Sequence, residues 1–241
     1  RDVTHLPFQF LLDLATDISW DRNLSSWQLL SKGLITPNDA PLITGMWNTA
    51  YKTIGQCNRL LTYMDRAQEN TDPAVYANIE AEARFFRAYW YHLLINLYGD
   101  VPFTTEPLDV FDAAIGQTDR DEIYNFVNAE LDAAAGVLPV SYAPSERGRI
   151  TKGAALAIKA RSALFHGDWQ VAEEASKAIM DLNEYELYPE FDKLFTYAAE
   201  NNSEVIFTIQ FSRANQLTHQ TPSHRRGRLG GGFVTKIPTQ P

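Results

Sequence analysis

Residues 72–103 decide the fold and read DPAVYANIEAEARFFRAYWYHLLINLYGDVPF. Their apolar side chains recur every three or four residues, which is the spacing of one face of an α-helix. This apolar stripe consists of Val75, Ile79, Ala83, Phe86, Trp90, Leu93 and Leu97. Pro73 favours a helix start, because it has no N–H to leave unsatisfied in a first turn, and Gly99 favours a helix end. The stretch therefore predicts a helix over residues 73–98.

The same periodicity predicts four further helices, over residues 42–67, 119–138, 152–166 and 169–182. The last two are joined by a short turn at Gly167 and partly match the spacing of a tetratricopeptide repeat, a pair of packed helices. We expect the helices to pack as antiparallel pairs. The large side chains expected in the core are Phe86, Trp90, Ile158 and Trp169.

The pattern changes after residue 183. Residues 204–211 read EVIFTIQF, a β-branched and aromatic run that predicts a short strand or an extended segment, and the remainder predicts loop. The fold class is therefore mainly all-α, with tetratricopeptide-like antiparallel helix pairs and long loops. We expect one helical domain over residues 1–241, with the helical scaffold at 41–182 and a looped segment at 183–241.

Composition and charge restrict the classes of function that the protein can have. Apolar and aromatic residues make up 45% of the 241 residues, enough for a sizeable core. The first 204 residues hold all 30 acidic residues and 16 of the 21 basic ones, a net charge of −14, which argues against a nucleic-acid surface. The sequence has no apolar run of the roughly 18 residues that a membrane-spanning helix needs.

Motifs of catalysis and of metal or cofactor binding do not occur in the sequence. The run Gly230-Gly231-Gly232 lacks the Lys-Ser/Thr pair of a phosphate-binding loop. The five histidines form no HExxH pair. Cys57 falls on the apolar stripe of its helix, which favours a packed core thiol over a nucleophile. We therefore predict no catalytic residue, no metal site and no cofactor.

Two tryptophans mark a candidate ligand site. Trp20 and Trp27 belong to a polar, aperiodic stretch, residues 17–27, which reads DISWDRNLSSW and predicts a loop. A tryptophan ring can stack on the apolar C–H face of a sugar while neighbouring polar groups bind its hydroxyls. The alternative is that one or both rings only pin the loop to the helical body.

Four blocks of sequence occur in the order of a known family. They are W…Y..I..CN at residues 47–58, EAEARFFRAY…LYGDVPF at 80–103, GRITKGAA at 148–155, and LYP…LF…SEVIF at 187–207. With these blocks the sequence resembles the SusD/RagB family over nearly its whole length. Apart from this resemblance, Arg84 and Arg87 in the second block lie on an otherwise apolar helix. We expect them to pair with carboxylates such as Glu80 or with helix C-terminal carbonyls, which is a structural role.

The resemblance implies a non-catalytic protein at the outer-membrane surface of a Gram-negative cell. Such a protein binds oligosaccharides, sometimes peptides, and delivers them to a TonB-dependent, SusC-like outer-membrane transporter. It is anchored by a lipidated N-terminal cysteine that is not present in this chain. Family members are longer, so we expect the chain to lack the C-terminal half of the family's sequence.

The resemblance also ranks the site residues. Trp20 stands where the starch-binding member carries a sugar-stacking tryptophan and is the first choice, with Asp21, Arg22 and Asn23 as polar neighbours and Trp27 as a further candidate. Two other functions stay open at this point. One is a tetratricopeptide-like adaptor that binds peptide or protein segments in a helical groove. The other is an all-α glycosidase.

Overall fold

A computed structural model of the chain describes residues 16–17, 19–21, 26–36, 40–109, 114–194, 196–210 and 236–238. The chain forms two compact units. One contains residues 50–210, and the other contains residues 1–49 together with 211–241. Within the described residues, no helix combines the length and the hydropathy needed to cross a bilayer.

The described elements are mostly helices. In chain order they are β1 (Ser19–Asp21), α1 (Ser26–Ser31), α2 (Ala40–Tyr63), α3 (Pro73–Tyr98), β2 (Val101–Pro102), β3 (Gln117–Thr118), α4 (Arg120–Val137), α5 (Lys152–His166), α6 (Trp169–Asp181) and β4 (Lys236–Pro238). A 3-10 helix, Met64–Asn70, continues α2 and accounts for the predicted helix end at residue 67. The prediction of a mainly helical fold and of its five long helices is thereby confirmed.

The two strand pairs are short. β1 pairs antiparallel with β4, with Trp20 opposite Ile237, and β2 pairs antiparallel with β3, with Val101 opposite Thr118. Neither pair was predicted, because two- and three-residue strands carry too little alternation to be read from sequence.

Local sequence explains where α3 begins and ends. The Asp72 carboxylate accepts hydrogen bonds from the backbone N–H groups of Ala74 and Val75, and Pro73 occupies the first turn. Gly99 ends the helix at φ 74° and ψ −127°. The φ is positive, but ψ differs from the left-handed helical value, and this region of backbone conformation is accessible in practice only to glycine. The chain then enters β2, whose Val101 is buried.

Helices α3, α4 and α5 pack side by side in chain order, and each runs antiparallel to the one before it. The Asp100 carboxylate after α3 accepts from the Arg120 N–H at the start of α4. Between α4 and α5, the Lys159 ammonium lies 2.6 Å from the Asp132 carboxylate, and the rings of Tyr124 and His166 stack with their centroids 3.8 Å apart. Helix α6 packs against α5 after a turn at Gly167, a residue in the left-handed conformation.

The expected burial of four large side chains was wrong in part. Trp169 is 70% exposed and Phe86 is 38% exposed, while Trp90 and Ile158 are half-buried. Trp169 follows the cap residue Asp168 directly, and α6 packs through its smaller residues Ala172 and Ala175 instead.

The buried face of α3 is rotated from the predicted apolar stripe. It consists of Ala81, Ala83, Phe85, Arg87, Ala88, Tyr91, His92, Leu94 and Ile95. Two of these side chains, Arg87 and His92, are polar, so an apolar stripe alone misplaces the face. Val75 and Leu97, which belong to the predicted stripe, are each 47% exposed.

The segment at residues 204–210 forms no strand within the described part of the chain. The Phe207 ring instead packs edge-on against Phe85 of α3, with the ring centroids 6.2 Å apart. Packing against a helix thus explains the aromatic residue at 207, whereas a turn at Glu204 and a bend at Ile206 interrupt the segment.

Candidate functional site

The predicted ligand residues are only partly described. Trp20 and Asp21 lie on β1, opposite Ile237 and Lys236 of β4, and Trp27 lies on α1. Both tryptophans were predicted in a loop, and that local prediction was wrong. Trp20 lies on a strand because β4 supplies a partner from the far end of the chain, and Trp27 lies in the first turn of a six-residue helix. Two further predicted residues, Arg22 and Asn23, lie outside the described residues. The role of these five residues in ligand binding stays a prediction.

A groove of about 950 Å³ lies within the unit formed by residues 50–210. We name it the α2–α3 groove. Its walls are the C-terminal half of α2 with the following 3-10 helix, the first turns of α3, and residues 107–109. The polar and aromatic side chains that line it include Gln56, Arg59, Tyr63, Arg66, Tyr76 and Asp109.

Helical spacing brings the functional groups of this groove together. Arg59, Tyr63 and Arg66 follow one another at intervals of four and three residues, which places them along one face. The guanidinium carbon of Arg66 lies 4.4 Å from the centroid of the Tyr63 ring, a cation–π contact. The sequence analysis missed this groove, because charged residues on a helix face are most often solvated and carry no motif.

The third wall of the groove is held by hydrogen bonds from α2 and α3. The Asn58 side-chain amide donates to the carbonyl oxygens of Thr104 and Glu106 at 3.0 and 3.2 Å. The Tyr91 hydroxyl donates to the Thr104 carbonyl at 2.7 Å. Because Asn58 and Tyr91 are fully buried, residues 104–106 are fixed before the chain reaches residues 107–109 in the groove.

A buried ionic cluster stabilises this arrangement. The Arg87 guanidinium donates to one Glu130 carboxylate oxygen at 2.6 and 2.9 Å, and Arg84 donates to the other at 2.7 Å. Arg87 also donates to the Asn58 side-chain oxygen at 3.0 Å. The predicted pairing of Arg84 with Glu80 is confirmed at 2.7 Å. Glu130 was not predicted, because it lies on another helix more than forty residues away in sequence.

Comparison with known proteins identifies the family. A family model described as "Starch-binding associating with outer membrane" (SusD-like) matches residues 5–164, more than half of the chain. The chain belongs to this SusD-like family. The predicted resemblance is thereby confirmed.

Individual relatives agree with the family assignment. SusD-like protein P25 of Formosa agariphila is 30% identical, over 71% of this chain and 32% of that protein. A SusD-like carbohydrate-binding protein of Bacteroides fragilis has a TM-score of 0.87 and 30% identity, over 95% of this chain and 45% of that one. A laminarin-binding SusD-like protein has a TM-score of 0.75 and 25% identity, over 82% and 44%. The match thus spans about a third of the curated relative and less than half of the two solved structures.

A second, smaller pocket of this SusD-like chain has about 330 Å³ and lies among the loops at residues 140–151, 184–185 and 201–208. Two of its polar side chains are bound to other side chains. Arg149 donates to the carboxylates of Glu82 and Glu146, and the Tyr142 hydroxyl accepts from Asn78. Another lining residue, Arg147, is exposed.

The described residues also include reactive and metal-ligating side chains. Cys57 is buried, as predicted, and burial raises the pKa of its thiol to about 11, so it stays protonated at neutral pH. Across the residues that the structure describes, no three His, Cys, Asp or Glu side chains are grouped to hold a metal ion.

Proposed function

We propose that this SusD-like protein binds oligosaccharides at the outer-membrane surface of a Gram-negative cell and catalyses no reaction on them. The observation that carries the proposal is membership of a family described as starch-binding and associated with the outer membrane. The laminarin-binding relative supports a glycan as the ligand. In this proposal Trp20 provides the stacking surface, and Asp21, Arg22, Asn23 and Trp27 supply the surrounding contacts.

Replacing Trp20 by alanine tests the ligand site. Loss of one stacked aromatic ring should cost on the order of 1–3 kcal/mol of binding free energy, a roughly five- to hundred-fold weaker affinity. The thermal midpoint should hardly change. We would first screen neutral oligosaccharides, including laminarihexaose and maltoheptaose, and then measure the best ligand by calorimetry on the full-length protein, with thermal melts alongside.

The matched control is Trp169→Ala, because Trp169 is a tryptophan that is 70% exposed on α6. This variant should bind the same oligosaccharide as tightly as the unmodified protein. If Trp20→Ala lowers the thermal midpoint and leaves the affinity of the folded protein unchanged, Trp20 only pins its segment to the protein and the proposed site is wrong. If no glycan in the screen binds, the proposed function itself fails.

We infer further that the bound oligosaccharide is delivered to a TonB-dependent transporter. The net charge of −14 over the first 204 residues would steer encounter with a basic partner surface more than it would set affinity. We expect a β-barrel protein of high mass to co-purify with this protein from membranes in mild detergent. Isolation of the protein alone under several mild detergents would contradict the delivery step.

One observation favours the second candidate function, a tetratricopeptide-like adaptor for peptide or protein segments. Leu164, Phe165 and Trp169, at the corner between α5 and α6, are 52%, 70% and 70% exposed. Apolar patches of this kind are typical of protein contacts. An adaptor would bind peptides with the glycan screen negative, whereas the proposed function requires glycan binding.

A further inference from the structure

We propose that the α2–α3 groove is a second saccharide site, selective for sugars that carry an anionic group, a carboxylate or a sulfate ester. The inference rests on the proposed glycan-binding function but concerns a different site from that of Trp20. It depends on three features of the groove: two guanidinium groups that have no carboxylate partner within the described residues, one tyrosine ring on each of two walls, and a local reversal of the protein's charge.

The two arginines of the groove are available to a ligand. Arg59 and Arg66 are both exposed, and neither guanidinium forms an ion pair within the described part of the chain. By contrast, Arg84, Arg87 and Arg149 are each held by one or more carboxylates. An arginine without a carboxylate partner retains the planar donor pair that binds carboxylate and sulfate oxygens in a bidentate manner.

The tyrosine rings provide the complementary apolar surface. Tyr63 lies between the two arginines along the helix face and is 42% exposed, and Tyr76 lines the opposite wall on α3. A pyranose presents a C–H face that packs on such a ring and hydroxyls that accept from nearby donors. The contact of the Arg66 guanidinium with the Tyr63 ring positions the cation next to this surface, so one sugar could contact both groups.

The charge of the groove lining is opposite in sign to the net charge of the protein's body. The body is strongly acidic, and most of its surface would repel an anionic polymer. The charged side chains that line the groove are two arginines and a single carboxylate, that of Asp109. The excess of one positive charge among these lining residues favours an anionic sugar over a neutral one, because a neutral glycan gains nothing from it.

The dimensions and rigidity of the groove suit an oligosaccharide. Its volume of about 950 Å³ lies at the upper end of the roughly 300–1,000 Å³ typical of small-molecule sites. Its third wall is fixed through Asn58 and Tyr91, which lowers the entropy that a ligand must remove on binding.

Calorimetry on the full chain tests the proposal with two anionic probes and one neutral probe. The probes are hexagalacturonate, which carries carboxylates, a sulfated carrageenan hexasaccharide, and laminarihexaose. We expect at least one anionic probe to bind, with an affinity that falls several-fold between low and high salt because exposed charges are screened. Binding of hexagalacturonate alone would assign a carboxylate ligand, and binding of the carrageenan alone a sulfate ligand.

Substitutions in the groove provide the decisive comparison. Arg59→Gln and Arg66→Gln should each weaken binding of the anionic probe roughly ten-fold, the usual effect of losing one charge-assisted hydrogen bond. Arg161→Gln is the matched control, because Arg161 is exposed on α5, lies outside both pockets and undergoes the same change of charge. It should leave the affinity within two-fold. Thermal melts identify any variant that fails to fold, and the two groove variants are independent of each other.

The outcomes separate this proposal from the general one. Absence of binding by both anionic probes, or an equal loss in Arg161→Gln, overturns the second site. Neither result touches neutral glycan binding at Trp20. Conversely, an anionic probe whose affinity falls in Arg66→Gln and not in Trp20→Ala supports the groove even if the Trp20 site is wrong.

Discussion

Replacing Glu130 by glutamine is expected to lower the free energy of unfolding by about 3–5 kcal/mol, the usual cost of removing one partner from a buried ion pair. Glu130 and Arg87 are 5% and 6% exposed. In Glu130→Gln the Arg87 guanidinium keeps its burial and loses the carboxylate that binds it. Water cannot compensate for that loss, since the guanidinium has left the solvent.

Urea unfolding of Glu130→Gln and of Glu80→Gln tests whether burial of the carboxylate determines how much stability is lost. Both substitutions remove one carboxylate that binds Arg84 at 2.7 Å. Glu80 is about one-third exposed, so its loss should cost less than about 1 kcal/mol, as for other solvent-exposed pairs. Equal effects of the two substitutions would show that burial does not determine the strength of this cluster.

The Glu130 cluster also bears on the ligand groove. Arg87 donates both to Glu130 and to Asn58, and Asn58 holds residues 104–106. We therefore expect Glu130→Gln to weaken the fixed wall of the α2–α3 groove as well as the core. The EAEARFFRA block is one of the four by which the family resemblance was identified. Through Arg84 and Arg87 it connects α3 to α4 and α2, and through Asn58 of α2 to the segment after β2.

The sequence was sufficient to predict where the helices begin and end, but not which of their faces are buried. Helix α3 was predicted from residue 73 to residue 98 as observed, because its periodicity is long and Asp72, Pro73 and Gly99 mark its ends. Its buried face was misplaced, because burial of Arg87 depends on Glu130, a residue of another helix. A pattern of apolar residues cannot show that a charged side chain is neutralised by a distant one.

The candidate sites could not be predicted for a similar reason, because they are formed by segments that are distant in sequence. Trp20 was predicted in a loop because its neighbours are polar, and its strand is formed only with β4. Arg59, Tyr63 and Arg66 carry no motif, and only the packing of α2 against α3 and residues 107–109 makes them walls of one groove. Local signals predict elements well, whereas a site assembled from distant segments requires the tertiary structure.

Acidification is expected to destabilise the protein through His92. His92 is 2% exposed on α3, its Nδ1 atom lies 3.0 Å from the Asn96 amide nitrogen, and the ring of Phe165 from α5 packs edge-on against it. Burial, assisted by the positive charge of Arg161 on α5, lowers the pKa of His92 from 6.5 to about 4. The folded state therefore keeps this imidazole neutral over a range in which the unfolded chain protonates it.

The sign of the effect follows from proton linkage. Between pH 6.5 and 4 the unfolded state binds one more proton at His92 than the folded state does, so stability is complete above about pH 6.5 and falls as the pH is lowered. The loss at pH 4 should reach about 3 kcal/mol, from roughly 1.36 kcal/mol per pKa unit. Below pH 4 both states are protonated, and His92 adds no further dependence.

Urea unfolding at pH 7, 6, 5 and 4 should show this loss in the unmodified protein and a much shallower dependence in His92→Gln. The comparison uses the slope with pH, because the substitution also changes packing and hence the absolute stability. If His92→Gln retains the full loss between pH 6.5 and 4, other groups cause it, and His92 is protonated in the folded state as readily as in the unfolded chain.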